Sequence, residues 1–359
     1  MKAETFGLLK KRVDAAGVEA FFSGKKANVR YVSGYSGDNG YVFLTRHGEF
    51  FLTNSLCSEY ARSTVQPPFT IHEIKDDLFN AFSELGVSFS GMKIGFEADF
   101  FTCAFITKFM KALSIASGDL FPFEGMVEEF REVKEPEEIS AVRKAQQISE
   151  RVFSDVLTLV HEGVEERELA MEIDYRFRKE GGEHSAFETI VASGPNTSMP
   201  HALPTRRKVK KGDLVLFDMG TVIDGYASDM TRTIVLGKAD RKQKERYRIV
   251  LEAQQAAIEG ISAGMKCSEA DFLARNSIEK AGYGPEYVHS LGHGVGLEVH
   301  ESPRLSRNSE LVLKKGSVVT VEPGIYFPGW GGIRIEDLVV ITETGCLNLT
   351  KAPKELMEL

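Results

Sequence analysis

The chain has 359 residues, of which 42% are hydrophobic and 27% charged, and its formal net charge is −8 at pH 7. These values are ordinary for a globular protein, and the length allows two domains. The acidic balance argues against a nucleic-acid surface, and the absence of a polybasic run or of an apolar run of about 18 residues argues against a membrane partner.

The N-terminus and the cysteines indicate a cytoplasmic location. The first residues, MKAETFGLLKKRVDAAG, carry acidic and basic side chains throughout and lack the apolar core of a signal peptide. Cys57, Cys103, Cys267 and Cys346 are widely spaced and form no CxxC pair. This pattern favours reduced, mostly buried thiols over a cysteine-ligated zinc or a thiol nucleophile.

The first third of the chain mixes helical and extended patterns. Residues 3–16 have helical spacing, and four short apolar runs follow: VEAFFSG, NVRYVSG, YVFLT and EFFLT. Residues 46–49 are typical of a hairpin turn between the last two runs. Helices are expected near 75–85 and 103–116. The segment 1–125 is therefore predicted to be an α/β domain.

A charged connector at 126–135 leads into a second domain at 136–359. Pro136 suits the first turn of a helix whose apolar residues recur at intervals of three and four. A second helix, ERELAMEIDYRFRKE, ends at a Gly-Gly pair. Further helices are expected at 241–262 and, capped by Ser268, at 269–281. Strands between and after the helices predict an α+β domain.

Two aspartates occupy core-like strands in LFDMGTVIDGYASDMTRT, residues 216–233. The dipeptide Asp224-Gly225 is a strong signal for a two-residue hairpin turn. Counting outward from it places Gly220 opposite Asp229 and Asp218 opposite Thr231. The two aspartates then lie diagonally on one face, with backbones about 7–8 Å apart. Such a pair requires a positive charge or a proton between the carboxylates.

Simpler explanations exist for these aspartates. Both could face solvent, or Arg232 could neutralise them. Neighbouring residues on a strand point to opposite faces, so Arg232 is poorly placed for that task. The hairpin alone leaves metal binding open.

The later part of the chain supplies further candidate ligands. The stretch VHSLGHGVGLEVHESPRL contains three histidines, and glutamates follow in VVTVEPG and GIRIED on either side of a GWGG turn. Each feature has an ordinary structural explanation, but the combination is much harder to obtain by chance. Four carboxylates and one imidazole exceed the needs of one ion and suit two bridged ions, with Mn²⁺, Co²⁺ or Fe²⁺ favoured over a structural zinc. The candidate ligands are Asp218, Asp229, His293, Glu322 and Glu336.

These motifs resemble those of the pita-bread dinuclear metallopeptidases, which include Xaa-Pro aminopeptidase, Xaa-Pro dipeptidase (prolidase) and methionine aminopeptidase. The matching segments are DMGTVIDGYASDMTRT, HSLGHGVGLEVHE, VEPGIY and GIRIED. NVRYVSGYSGDNGYVFLT resembles the creatinase/prolidase N-terminal domain, and REVKEPEEISAVRKA resembles the family's connector. Methionine aminopeptidases usually lack that first domain, so the resemblance favours the proline-specific branch.

The resemblance implies a fold and an activity. The fold is an α/β N-terminal domain followed by an α+β pita-bread catalytic domain. The activity is hydrolysis of the bond between an N-terminal residue and a following proline in short peptides, by a water that bridges two divalent ions. Mn²⁺ is expected first, with Co²⁺, Zn²⁺ or Fe²⁺ as alternatives, and the protein is expected to be a homodimer.

The resemblance also implies a role for each ligand. Asp218 would chelate one ion, and Asp229 and Glu336 would bridge the two. His293 and Glu322 would complete the other ion, and Glu322 would relay the proton of the bridging water.

Other residues would form the substrate pocket. His201, which lies in FETIVASGPNTSMPHA, would assist the substrate or the leaving group, while His300 would contact the scissile carbonyl and His289 would line the pocket. Arg334 would support the ligands from outside. Arg304 would bind a dipeptide's free carboxylate, for which a planar guanidinium is suited, or would be an ordinary surface arginine.

The first substrate pocket has two candidate apolar walls, Phe187 and Tyr226. A methionine-type aminopeptidase remains an alternative activity. A non-catalytic peptide-binding module on the same fold, or a metal-free hydrolase of the creatinase kind, is disfavoured because no ligand position is lost.

Overall fold

The computed structural model describes residues 3–359 and divides into two compact units, one ending at Arg131 and one spanning Glu132–Leu359. The boundary falls inside the segment 126–135 that the sequence marks as a connector. Within residues 3–359, every helix is either too short or too polar to cross a lipid bilayer.

The first unit is built on a six-stranded sheet with the strand order β4-β3-β2-β1-β5-β6. Its elements are α1 Ala3–Ala15, β1 Ala20–Ser23, α2 Lys26–Ser33, β2 Gly40–Thr45, β3 Gly48–Asn54, α3 Ser58–Thr64, β4 Thr70–Ile74, α4 Leu78–Glu84, β5 Ile94–Glu97, α5 Cys103–Leu113, β6 Leu120–Phe123 and α6 Glu128–Arg131. The strands β1, β2 and β3 pair antiparallel, and the remaining pairs are parallel.

Aromatic rings fill the core of this unit. Phe22 on β1 stacks on Phe101 and Phe109, with ring centroids 5.1 and 4.9 Å away. Each ring buries a large apolar area, so these contacts dominate the stability of the unit. The run NVRYVSG lies mainly in α2, where Val29 and Val32 are buried three residues apart on one helical face.

The second unit contains two larger sheets and two short hairpins. The sheets have the orders β11-β8-β7 and β13-β12-β14-β17-β18, and the hairpins are β9–β10 and β15–β16. Its elements are α7 Pro136–Leu157, α8 Glu166–Lys179, β7 Ile190–Ser193, β8 Leu214–Met219, β9 Val222–Ile223, β10 Tyr226–Ala227, β11 Met230–Val235, α9 Arg241–Gly260, α10 Cys267–Lys280, β12 Gly292–Gly294, β13 Glu301–Leu305, β14 Val318–Val321, β15 Gly324–Phe327, β16 Gly331–Arg334, β17 Asp337–Ile341 and β18 Cys346–Asn348.

Helix pairs cover the sheets of this unit. Apolar faces of α7 and α8 bury Phe153 and Phe177 together with Phe217 of β8. Helices α9 and α10 share a second apolar cluster with strands β13–β17. The helices contribute small residues such as Ala257 and Ala274 to it.

The predicted cap of α10 at Ser268 is wrong. The helix begins at Cys267 with Lys266 at the capping position, and the backbone N–H of Lys266 donates to the Glu269 carboxylate at 2.9 Å. A glutamate inside the first turn therefore does the capping, and Ser268 lies within the helix.

The four cysteines differ in their expected reactivity. Burial raises the pKa of Cys267 and that of Cys346 to about 11, whereas Cys103 is exposed at the start of α5. At pH 8 a thiol with that pKa is ionised in roughly one molecule in a thousand, and the thiolate is the reactive form. We expect a disulfide reagent to modify Cys103 within minutes and to modify Cys267 and Cys346 far more slowly in the native protein.

Peptide mapping after timed labelling at pH 8 measures this difference. Labelling of Cys346 should accelerate about tenfold per pH unit up to its pKa. Equal labelling of Cys267 and Cys103 in the native protein would contradict the burial of Cys267.

Candidate metal centre

The hairpin that carries the two aspartates has the register expected from its turn. Asp218 pairs with Thr231 between β8 and β11, and φ is 51° at Asp224 and 80° at Gly225. Two central residues with positive φ match the right-handed twist of the strands. At Gly220, a Cβ would lie 2.0 Å from the Ser228 carbonyl oxygen across the hairpin, so only glycine allows this close approach.

Glycines also place the central histidine. A Cβ at Gly292 would lie 2.1 Å from the Thr320 carbonyl oxygen, and one at Gly294 would lie 2.2 Å from the Ser302 carbonyl oxygen. Strand β12 can therefore sit tightly between β13 and β14, and it presents His293 beside the end of β14. Glu322 follows β14 directly, and Glu336 lies in the short link between β16 and β17.

Three predicted ligands form a close group. Asp229, His293 and Glu336 each offer a ligand atom, and these atoms all lie within 4.8 Å of one another. The His293 Nε2 atom lies 3.6 Å from Asp229 Oδ2 and 3.4 Å from Glu322 Oε1. The Nδ1–H of His293 donates to the Gly294 carbonyl at 3.1 Å, which turns Nε2 towards the carboxylates.

Asp218, the fifth predicted ligand, is shared with Arg334. Its Oδ2 accepts from Arg334 Nη2 at 2.6 Å, while its Oδ1 is buried without a hydrogen-bond partner. A buried carboxylate oxygen without a donor is costly, and a cation would satisfy it. Arg232 points to the opposite face and pairs with Asp337 at 2.8 Å.

The electrostatics of the carboxylates show a shortage of positive charge. Burial, reinforced by neighbouring carboxylates, raises the pKa of Asp229 and that of Glu336 well above the ordinary range. Burial also raises the pKa of Asp218, although Arg334 opposes the shift. Groups that resist ionisation because of one another are the groups that a divalent ion would stabilise in their charged form.

The imidazole and its neighbouring glutamate behave as an ion pair. Burial opposes ionisation of Glu322, but the hydrogen bond and charge of His293 lower its pKa to about 2. Burial likewise disfavours charge on His293, yet the Glu322 carboxylate outweighs it and raises the pKa of His293. Because a metal needs the neutral imidazole, its binding here would release a proton and weaken at acidic pH. The oxygen-rich donor set, the unsatisfied Asp218 oxygen and this acidic surplus all fit divalent cations.

A residue that the sequence analysis missed, Tyr326, links the surroundings of the site. Its hydroxyl lies 2.9 Å from His289 Nε2 and accepts from Arg334 Nη1 at 2.8 Å. The Nδ1–H of His289 must donate to the Ser290 carbonyl at 2.8 Å, so Nε2 accepts from Tyr326. The signal was present, since strand alternation from Glu322 through Gly324 places Tyr326 on the same face.

His289 therefore differs from the other pocket histidines. Both of its ring nitrogens are engaged within the protein, and burial lowers its pKa, so the ring is neutral at pH 7. It connects to Asp218 through Tyr326 and Arg334. This arrangement suits a residue that holds the ligands in place more than one that contacts the substrate directly.

His300 and His201 are free to face a substrate. The His300 ring lies 4.2 Å from that of His293, and burial, with a smaller contribution from His293, lowers its pKa. Both His300 and His201 are exposed. Arg304 is exposed on β13, where it pairs directly with His293 in the ladder.

The two residues predicted to form apolar walls of the first substrate pocket, Phe187 and Tyr226, lie in different surroundings. Phe187 packs against Gly220, where a Cβ would lie 2.9 Å from its ring, and it thus borders the aspartate hairpin. Tyr226 instead packs on a cluster that contains Val142 and Val222, and its hydroxyl hydrogen-bonds Glu138. The contacts of Tyr226 therefore join the hairpin to α7.

Comparison with known proteins identifies both parts of the chain. Residues 140–343 match the model of metallopeptidase family M24, and residues 7–133 match that of the creatinase/prolidase N-terminal domain. A Xaa-Pro dipeptidase from Pyrococcus horikoshii is 38% identical over 349 residues, with 96% of each chain covered.

Solved structures agree with this match. A Xaa-Pro dipeptidase from Bacillus anthracis superposes with a TM-score of 0.94 at 37% identity, covering 99% of both chains. The prolidase from Pyrococcus horikoshii superposes with a TM-score of 0.92 at 37% identity, covering 99% of this chain and 100% of that one. The chain belongs to metallopeptidase family M24, whose enzymes use divalent metal ions, and it combines a creatinase/prolidase N-terminal domain with a pita-bread catalytic domain.

Proposed function

We propose that this chain is a metal-dependent Xaa-Pro dipeptidase. The observation that carries the proposal is the buried meeting of carboxylates with a single imidazole, in which Asp229, His293 and Glu336 offer ligand atoms within 4.8 Å. The likeness to Xaa-Pro dipeptidases over nearly the whole chain supports the substrate class.

The ligand set would hold two divalent ions, with Mn²⁺ first and Co²⁺, Zn²⁺ or Fe²⁺ as alternatives. Bound ions supply Lewis acidity towards the peptide carbonyl and lower the pKa of water to near neutrality. The residues assigned to them are Asp218, Asp229, His293, Glu322 and Glu336.

Side chains around the ligands would handle protons and orientation. The Glu322 carboxylate, ionised at neutral pH, would take the proton of the attacking water and pass it to the leaving nitrogen. A neutral His300 would donate a ring N–H to the scissile carbonyl, where negative charge develops. The Tyr326–Arg334 pair would hold Asp218 in place, with His289 behind it.

Two further groups would select the substrate. His201 would assist the leaving proline. Arg304 is exposed on β13, opposite His293 in the ladder, and would bind the free carboxylate of a dipeptide through its guanidinium. This second contact is the feature that would favour dipeptides over longer chains.

A comparison of three substrates tests the proposal. Initial rates on Ala-Pro, Ala-Pro-Ala and Met-Ala-Ser, measured with Mn²⁺ under one buffer condition, should rank Ala-Pro first. Faster cleavage of Ala-Pro-Ala would indicate an aminopeptidase, and preference for Met-Ala-Ser a methionine-type enzyme. Failure to cleave before proline with any divalent ion would overturn the proposed activity, and a purified protein without stoichiometric metal would favour a binding module.

The resemblance also leads us to propose a cytoplasmic homodimer. Light scattering coupled to gel filtration should give about twice the mass of the 39.8 kDa chain. A monomeric mass at micromolar concentration would contradict the dimer without touching the assignment of the ligands.

A further inference from the structure

A buried glutamate outside the metal centre has no cationic partner. Glu166 begins α8, and its side chain is 0% exposed. Within residues 3–359, no lysine, arginine or histidine forms an ion pair with it; hydrogen bonds satisfy it instead. Burying a carboxylate is expensive unless donors compensate it, so the donors indicate what Glu166 holds.

The hydrogen-bond donors to Glu166 come from one loop and the residues on either side of it. Oε1 of Glu166 accepts from the Ser193 N–H and from the Ser193 hydroxyl, both at 2.7 Å. Oε2 accepts from the Thr205 N–H at 3.0 Å and from the Thr205 hydroxyl at 2.6 Å. Asn196 Nδ2 lies 3.0 and 3.1 Å from the two oxygens. One carboxylate thus clasps both ends of the segment 194–204.

That segment carries His201 and has few apolar anchors. Met199 and Leu203 are 50% and 59% exposed, while Ala202 is buried. The middle of the loop is attached to β16 by polar contacts: the Gly332 N–H donates to Thr197 Oγ1 at 2.8 Å, and Arg334 Nη1 donates to the Pro200 carbonyl at 3.3 Å. With little hydrophobic burial, the position of the loop depends on its hydrogen bonds.

We infer that Glu166 is a positioning residue that sets the place of His201 in the substrate pocket. The inference rests on the proposed function, which assigns His201 to that pocket. Glu166 acts on the reaction only through the loop, since its own oxygens are fully occupied by Ser193, Asn196 and Thr205.

Glutamine cannot replace this glutamate despite its equal size. Each carboxylate oxygen accepts a backbone N–H, one from Ser193 and one from Thr205. A glutamine must place its NH₂ against one of these two, and a backbone donor cannot rotate away as a hydroxyl can. One end of the loop therefore loses its backbone hydrogen bond to residue 166 whichever way the amide points, and keeps only its other contacts, such as the pairing of Ser193 with Val215 or the Arg167 N–H on the Thr205 carbonyl.

The test combines Glu166→Gln with a double-mutant cycle. We expect kcat/KM on Ala-Pro to fall about 10²-fold, as for a displaced catalytic group, with bound metal unchanged. In a His201→Ala background, Glu166→Gln should change kcat/KM by less than about twofold, because the imidazole that Glu166 positions is already absent. If the double variant instead loses kcat/KM by the product of the two single-variant factors, the inference is overturned, because a general structural defect would act independently of His201.

Hydrogen exchange provides a readout that is independent of catalysis. The amide that faces the new NH₂, that of Ser193 or that of Thr205, should exchange faster in Glu166→Gln, and peptides of the first unit should not change. Glu172→Gln, the same substitution on a partly exposed glutamate of α8 that pairs with Arg176, is the matched control and should behave as wild type. Unchanged exchange in Glu166→Gln would overturn the clasp.

If Glu166→Gln folds poorly, a milder substitution at Thr205 tests the same contact. Thr205→Val removes the hydroxyl that donates to Glu166 at 2.6 Å and accepts from the Arg207 N–H at 3.0 Å, while keeping the Thr205 N–H. It should loosen the same loop and lower kcat/KM in the same direction, and wild-type exchange at 194–204 would count against the inference. If the wild-type enzyme itself fails to cleave Xaa-Pro substrates, the proposed function falls, while hydrogen exchange still decides whether Glu166 clasps the loop.

Discussion

Asp229→Asn should abolish turnover and remove bound metal while leaving the fold intact. Removal of a group that merely supports a ligand costs about 10–100-fold in metal affinity or activity, so loss of a residue proposed as a direct ligand should exceed that range. We therefore expect less than about 1% of the wild-type kcat/KM on Ala-Pro with saturating Mn²⁺.

The same substitution should not destabilise the protein after chelation. Burial and the nearby Glu336 and Asp218 raise the pKa of Asp229, so its ionised form is repelled by its surroundings. A neutral amide of equal size relieves that repulsion. In the presence of EDTA, the midpoint of thermal unfolding of Asp229→Asn should equal or exceed that of wild type.

Metal content by mass spectrometry, kinetics and calorimetry together check this result. Asp224→Asn is the matched control, because it makes the same chemical change in the same hairpin at an exposed turn residue with φ of 51°, which asparagine tolerates. Near wild-type activity in Asp229→Asn would show that the ligand assignment is wrong.

Arg232→Met should strongly destabilise the second unit. Arg232 and Asp337 form an ion pair in which both side chains are 0% exposed, with Nη2 and Oδ1 2.8 Å apart. The guanidinium also donates to the carbonyls of Glu336, Ala352 and Pro353 at 2.6–2.9 Å. Removal of Arg232 leaves these carbonyls buried without their donor, while Asp337 keeps Lys354 Nζ at 2.9 Å. Each buried acceptor left unpaired typically costs about 1–3 kcal/mol.

Because the chain has a single tryptophan, its fluorescence can follow the unfolding of one unit. Trp330 lies in the β15–β16 turn of the second unit, so its fluorescence during urea unfolding reports on that unit alone. The midpoint should fall markedly in Arg232→Met. Arg248→Met, on an exposed stretch of α9 where the side chain is 70% exposed, should stay within about 0.5 kcal/mol of wild type. Equal stability of both variants would mean that the buried pair contributes little beyond an apolar side chain.

Patterns of neighbouring residues were enough to predict much of the site. The Asp224-Gly225 turn sets the pairing of Asp218 with Thr231 because a two-residue turn leaves only one register and side chains alternate strictly along strands. The same alternation places Arg232 on the opposite face. The histidine cluster and the two later glutamate motifs then added His293, Glu322 and Glu336 as candidates, and the family resemblance gave each of them a role.

Local competition explains the smaller errors. The first turn of α10 contains both Ser268 and Glu269, and either could cap the helix; the glutamate does so, because its longer side chain reaches back to the Lys266 N–H. The run NVRYVSG has β-branched and aromatic residues, yet its Val29 and Val32 are spaced for a helix, and burial of that face decides the outcome.

The sequence by itself determined the two-part architecture, the aspartate hairpin and the set of candidate ligands, since turn chemistry and periodicity act between residues close in the chain. Only the tertiary structure decided which partners these groups meet. Arg334 reaches Asp218, Tyr326 reaches His289, and Glu166 clasps the loop of His201. These contacts join residues that the chain separates by tens of positions, and their geometry exists only once sheets and helices have packed against each other.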